Sequence, residues 1–140
     1  MTTLTAEQLA LAFVDRLVPD HFDEARRMLH PSCEYSFGGD VLRGEEIVEA
    51  FEKSDEEAKK KFERIEYLPG RVAAVEGTVV VVQVFDRVTI ADRTHTYSDR
   101  LVITLDPRLD RPVLHIEHRP FPEERAKLAA FLVGPSAPVA

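Results

Sequence analysis

The sequence predicts an α+β protein in which three to four helices wrap one side of a long, curved antiparallel sheet and leave a cone-shaped pocket between the layers. Three observations carry this reading. Apolar residues in the first half recur with a helical period, and from Ile65 onward the period falls to two. The third observation is the segment Thr94 to Leu105, where His95, Tyr97 and Asp99 alternate and are continued by Leu101, Ile103 and Leu105. A strand presents every second residue to the same side, so one face begins with polar groups and ends in hydrocarbon. That is the lining expected of a small-molecule pocket. The opposite face, Thr96, Ser98, Arg100, Val102 and Thr104, suits partial exposure.

Thr5-Ala-Glu-Gln8 has the spacing of a capping box, and Leu9, Phe13 and Leu17 behind it form a buried stripe on a first helix that Pro19 ends. A short second helix starts at Asp20 or Asp23, with Phe22, Ala25 and Leu29 inward, and His30-Pro31 closes it. Cys33, Tyr35 and Phe37 alternate on a strand that Gly38-Gly39-Asp40 turns. A third helix begins near Gly44, with Ile47, Phe51, Ser54, Ala58 and Phe62 on one face. Glu52, Asp55, Glu56, Glu57 and Lys59 to Lys61 form its solvated side.

Ile65 to Val75 reads as a strand interrupted by Pro69-Gly70, which implies an edge position or a bulge. The valine-rich Thr78 to Ile90 follows, and Ala91-Asp92-Arg93 is short enough for a hairpin into the strand at Thr94. Val113 to Arg119 is the last strand. Pro122 opens a closing helix with Leu128, Phe131 and Leu132 inward. Residues 1–134 are expected to form a single domain, and 135–140 a loose tail.

Composition narrows the partners. A formal charge of −7 argues against nucleic acid, which requires a basic face. No apolar run reaches the ~20 residues that span a bilayer, and the N-terminus lacks the pattern of a signal peptide, so a cytoplasmic location is expected. Cys33 is the single cysteine, which excludes an internal disulfide and a site of clustered cysteines, and it reads as a small buried hydrophobe. His115 and His118 lie three apart on a strand, so their imidazoles face opposite ways and no metal site is expected. No cofactor motif is present either, since Gly38-Gly39 has no lysine at P-loop spacing.

The order helix, helix, strand, helix, then four strands, together with Leu29-His-Pro-Ser-Cys-Glu-Tyr-Ser-Phe-Gly-Gly and Leu42-Arg-Gly-Glu-Glu-Ile, resembles the superfamily of nuclear transport factor 2. That superfamily includes ketosteroid isomerases, scytalone dehydratase and the SnoaL-like polyketide cyclases. The resemblance covers about Leu4 to Leu132 and implies the cone fold. In the cyclase-like relatives a strand aspartate and a histidine on the next strand do acid–base work, and Asp99 and His118 look like the matching positions. Two other activities lose their residues. Phe13 stands where the isomerases have a hydroxyl-bearing tyrosine, and Tyr97 stands where the limonene-type epoxide hydrolases have an arginine.

Strand parity assembles the candidate site independently of the resemblance. A hairpin centred on Ala91-Asp92 puts Asp86 opposite Tyr97 and Val84 opposite Asp99. Leu114 and Ile116 are the better core residues of the last strand, so His118 points inward. Asp99 and His118 are the expected catalytic pair, because a carboxyl among valines has a raised pKa that a nearby histidine lowers again. Phe13, Tyr35, Phe37, Asp86, His95, Tyr97 and Leu101 are the expected ligand contacts. The expected ligand is a small, mostly apolar organic molecule, turned over without a cofactor in an isomerase, cyclase or lyase reaction. The alternative is a module that binds a ligand passively or serves an interaction. The outer sheet face, with Val79, Val81, Phe85 and Val102 among Gln83, Thr104 and His115, is expected to form a homodimer, as is common in the resembled superfamily.

Overall fold

The computed structural model describes residues 4–134, so the tail expected at 135–140 lies outside the described residues. Its sheet has six strands in the order β2-β1-β6-β5-β4-β3. The strands are β1 (Leu29–Phe37), β2 (Asp40–Arg43), β3 (Arg64–Glu76), β4 (Val79–Ile90), β5 (Arg93–Leu105) and β6 (Val113–His118). The helices are α1 (Ala6–Asp15), α2 (Phe22–Met28), α3 (Glu45–Lys61) and α4 (Pro122–Val133). All neighbours are antiparallel except β1 and β6, which run parallel, so the sheet is mixed.

Thr5 caps α1 as its spacing predicts. Its hydroxyl accepts from the Gln8 N–H at 3.1 Å, and the Thr5 N–H donates to Gln8 Oε1 at 2.9 Å. The helix ends at Asp15, and Pro19 opens a single 3-10 turn, Pro19–His21, that leads into α2. His30 and Pro31 do not close α2 but already belong to β1. The four-residue β2 was not expected. It pairs with β1 across the Gly38-Gly39 turn, where both glycines have positive φ.

The β4–β5 hairpin turns on Ala91 and Asp92, two non-glycine residues at φ 47° and 67°, with Ile90 paired to Arg93. This is the left-handed two-residue turn that matches strand twist. It sets the register expected from sequence, with Asp86 opposite Tyr97 and Val84 opposite Asp99. Along the inner faces Val80, Val82, Leu101, Ile103 and Leu105 are buried against Phe13, Ile47, Val48 and Ile116. Each such side chain contributes about 1.5–3 kcal/mol by leaving water. The Pro69-Gly70 step breaks the β3–β4 register between Leu68 and Arg71, and β3 is an edge strand.

Two residues expected to point inward, Leu114 and Leu132, do not. On β6 Val113 is fully buried beside Ile116, and Leu114 is displaced by a bulge between the Leu105–Val113 and Thr104–His115 pairs. On α4 Leu132 is 42% exposed, and the helix is held chiefly through Phe131, over which the Arg93 guanidinium lies at 4.8 Å.

Candidate functional site

Between the sheet and the first three helices lies a cavity of about 600 Å³. This is the size range of a site for a small organic ligand. Val14, Phe22 and Phe51 come from the helices and Leu17 from the connection after α1. Tyr35, Phe37, Tyr67, Val84, Asp86, Tyr97, Asp99, Leu101 and His118 come from the sheet.

Asp99 and His118 meet inside this cavity. Leu101 is the register partner of His118, so Asp99, two residues earlier on the same face, is its diagonal neighbour. His118 Nε2 is hydrogen-bonded to Asp99 Oδ2, and the Arg100 N–H donates to Asp99 Oδ1 at 2.8 Å. The imidazole stacks on Phe37 with centroids 4.8 Å apart, and its Nδ1 is buried with no partner among the described residues. Side-chain exposures of 23% for Asp99 and 12% for His118 leave the pair reachable from the cavity and shielded from bulk water. When Asp99 is the acceptor, the His118 Nε2–H donates to Oδ2, and the Nδ1 of that tautomer is left as an acceptor.

A second polar row crosses three strands. Tyr67 on β3, Asp86 on β4 and Tyr97 on β5 are successive register partners. Burial pushes the Asp86 carboxyl up to about 6, the Tyr97 hydroxyl acts against the shift, and the negative charge of Asp99 adds to it. Burial, with Asp86 next to it, also raises the Tyr97 hydroxyl, and burial near Asp99 raises that of Tyr35. Both therefore stay protonated at neutral pH and remain donors. Tyr67 gives its proton to Asp55 Oδ1 at 2.6 Å, while Lys59 Nζ sits 2.7 Å from the other oxygen.

The Asp86 shift has a consequence for stability. The folded protein holds this proton more tightly than the unfolded chain, so the group makes folding less favourable as pH rises from about 4 to about 6. Above that range the penalty is constant, at most about 3 kcal/mol. Asp86→Asn is therefore expected to gain thermal stability relative to the wild type at about pH 7.5 and not at about pH 4. An equal difference in melting temperature at both pH values would refute the burial of an ionising carboxyl here.

Of the residues expected in the site, Tyr35, Phe37, Asp86, Tyr97, Asp99, Leu101 and His118 line one cavity. Two do not. Phe13 is wholly buried in the core between α1 and the sheet. His95 lies on the expected face but beyond the end of the cavity, where its ring stacks on Phe131 of α4 at 5.3 Å. Sequence reasoning missed Tyr67 and its partner Asp55. Asp55 was assigned to the solvated side of α3, yet it is 6% exposed. Ser54, expected on the buried stripe, is exposed at the rim. Cys33 is buried as expected, and burial pushes its thiol up to about 12, which makes it inert.

The sequence matches no family model and no curated protein. Its shape does have relatives. SalBIII, an epoxide hydrolase/cyclase-like enzyme of pyran ring formation in the polyether salinomycin, superposes with a TM-score of 0.62 at 15% identity, over 85% of this chain and 92% of that one. A putative SnoaL-like polyketide cyclase from Shewanella putrefaciens CN-32 gives 0.62 at 13% identity, over 90% and 86% of the two chains. An NTF2-like protein of unknown function from Exiguobacterium sp. 255-15 gives 0.51 at 14% identity, over 84% and 99%. No helix among the described residues is long and apolar enough to cross a membrane. The chain has the NTF2-like fold, in the form also seen in SnoaL-like polyketide cyclases.

Proposed function

We propose that this protein is a cofactor-independent acid–base enzyme, an isomerase, cyclase or lyase, acting on a small and mostly apolar organic carbonyl compound in the cytoplasm. The observation that carries the reading is the hydrogen-bonded Asp99–His118 pair inside a mainly hydrocarbon cavity. Asp99 takes a proton from the carbon next to the carbonyl. The C–H electron pair moves into the carbon–carbon bond, and the carbonyl oxygen becomes an enolate oxygen. Tyr35 is the protonated hydroxyl available to that oxygen. Asp99, with His118 holding its second oxygen, then returns the proton to the new position. Phe37 and Leu101 hold the hydrocarbon.

The test needs no native substrate. Deuterium exchange at the α-carbon of an apolar ketone, 2-decalone, is followed by proton NMR in D2O. Acceleration by catalytic amounts of protein, saturable in ketone, is the expected result. Binding of the ketone with no acceleration would return the passive-binding reading.

The same proposal includes a homodimer through the outer sheet face. Val79, Val81 and Phe85 are half-buried there, beside the Arg71–Gln83–Ser98 hydrogen-bond chain. Such a mixture of apolar and polar groups suits a subunit interface. Two-fold symmetry introduces any new charge twice, so Val81→Glu is expected to give monomers of unchanged helical content. A wild-type protein that light scattering finds monomeric at high micromolar concentration would contradict the dimer.

A further inference from the structure

The polar groups of the cavity are one-sided in charge. Asp15, Asp86 and Asp99 line it, and its described lining includes no Lys or Arg. Two of these carboxylates have partners. Asp15 accepts the Gly70 N–H at 3.2 Å, and Asp99 holds His118 and the Arg100 N–H. Asp86 is different. A carboxylate has room for about four hydrogen bonds. Among the described residues the hydroxyl of Tyr97, its register partner on β5, is the one donor that favours the charged form of Asp86. Tyr67, its register partner on the other side, has committed its only proton to Asp55. The remaining capacity of Asp86 faces the cavity.

The walls fit the same ligand. Phe22, Tyr35, Phe37, Phe51, Tyr67 and Tyr97 surround the space, and the negative faces of such rings attract cations. An anionic group would have to settle among carboxylates with no Lys or Arg to receive it. An ammonium group would find a charged acceptor in a low-dielectric setting, where such a bond is strongest. It would also remove the cost of burying Asp86 ionised.

We propose that the cavity takes a hydrophobic amine, with its ammonium group on Asp86 between Tyr67 and Tyr97 and its hydrocarbon against the phenylalanines. This rests on the reading of the cavity as the substrate site and adds the class of substrate, an amino-bearing carbonyl compound.

Isothermal titration at about pH 7.5 with n-octylamine, 1-octanol and octanoate tests the charge preference at constant chain length. Octylamine is expected to bind at least about tenfold more tightly than octanol, with octanoate weakest. Asp86→Asn is expected to bring octylamine down to the level of octanol and to leave octanol unchanged. Octanoate binding as tightly as octylamine in the wild type would overturn the proposal without using any variant. An unchanged amine-to-alcohol ratio in Asp86→Asn would overturn the assignment to Asp86. Equal binding of all three probes defeats the amine preference and leaves the acid–base reading intact. Failure of every probe to bind defeats both.

Discussion

Asp99→Asn is expected to slow α-carbon exchange of 2-decalone by at least about 100-fold, the usual scale for a positioned general base. The amide keeps the shape of the carboxylate and still accepts the Arg100 N–H through Oδ1, a bond of 2.8 Å in the structure. What it loses is the ability to take up a proton. Affinity for the ketone should change little, because Leu101, Phe37 and the aromatic walls supply the apolar contact. The loss therefore falls on the turnover rate rather than on the concentration dependence. The melting temperature should move by only a few degrees. If Asp99→Asn instead unfolds the protein, and the surviving folded fraction binds ketone as before, the residue anchors structure and catalysis lies elsewhere.

The largest effect on stability is expected from Phe13→Ala. Phe13 is wholly buried, among the bulkiest such side chains of the described residues, and it ties α1 to the core cluster that includes Val80 and Val82. Truncation leaves a void that rigid neighbours cannot fill, at a cost of about 3–5 kcal/mol. For a domain of this size that lowers the melting temperature by roughly 10–20 °C. The outcome also separates the two placements of Phe13. A ligand-contacting residue would show a small thermal effect and a large change in affinity. Thermal scanning of both proteins, with and without 2-decalone, reads both quantities.

The register of β4 and β5 was legible because a two-residue hairpin leaves no freedom once its centre is located. Parity along β5 then put Tyr97 and Asp99 on one face, and parity along β6 put His118 toward them. Parity says which face a side chain takes, but not how far along the strand a cavity extends. His95 shares that face and still lies outside, because the strand continues past the cavity to where α4 covers it. Tyr67 was hidden for a related reason. Counted straight back from the β3–β4 turn at Gly77, where Glu76 pairs with Val79, it would lie opposite Val88. Two irregularities in β3, one at Pro69-Gly70, carry it two places along, to Asp86. Asp55 was masked by the charges flanking it, and its burial depends on a tyrosine twelve residues away. The strand β2 has only four residues and no buried member, so it carries no periodic signal.

The proposed chemistry depends on the hydrogen bond between Asp99 and His118 within a ligand-holding cavity, and proton NMR of ¹⁵N-labelled protein reads that bond directly. The prediction is a slowly exchanging, far-downfield imidazole N–H resonance from His118 Nε2 that shifts on saturation with 2-decalone and disappears in Asp99→Asn. An imidazole signal at the position of a solvent-exposed histidine, unmoved by the ketone and unchanged in Asp99→Asn, would contradict it.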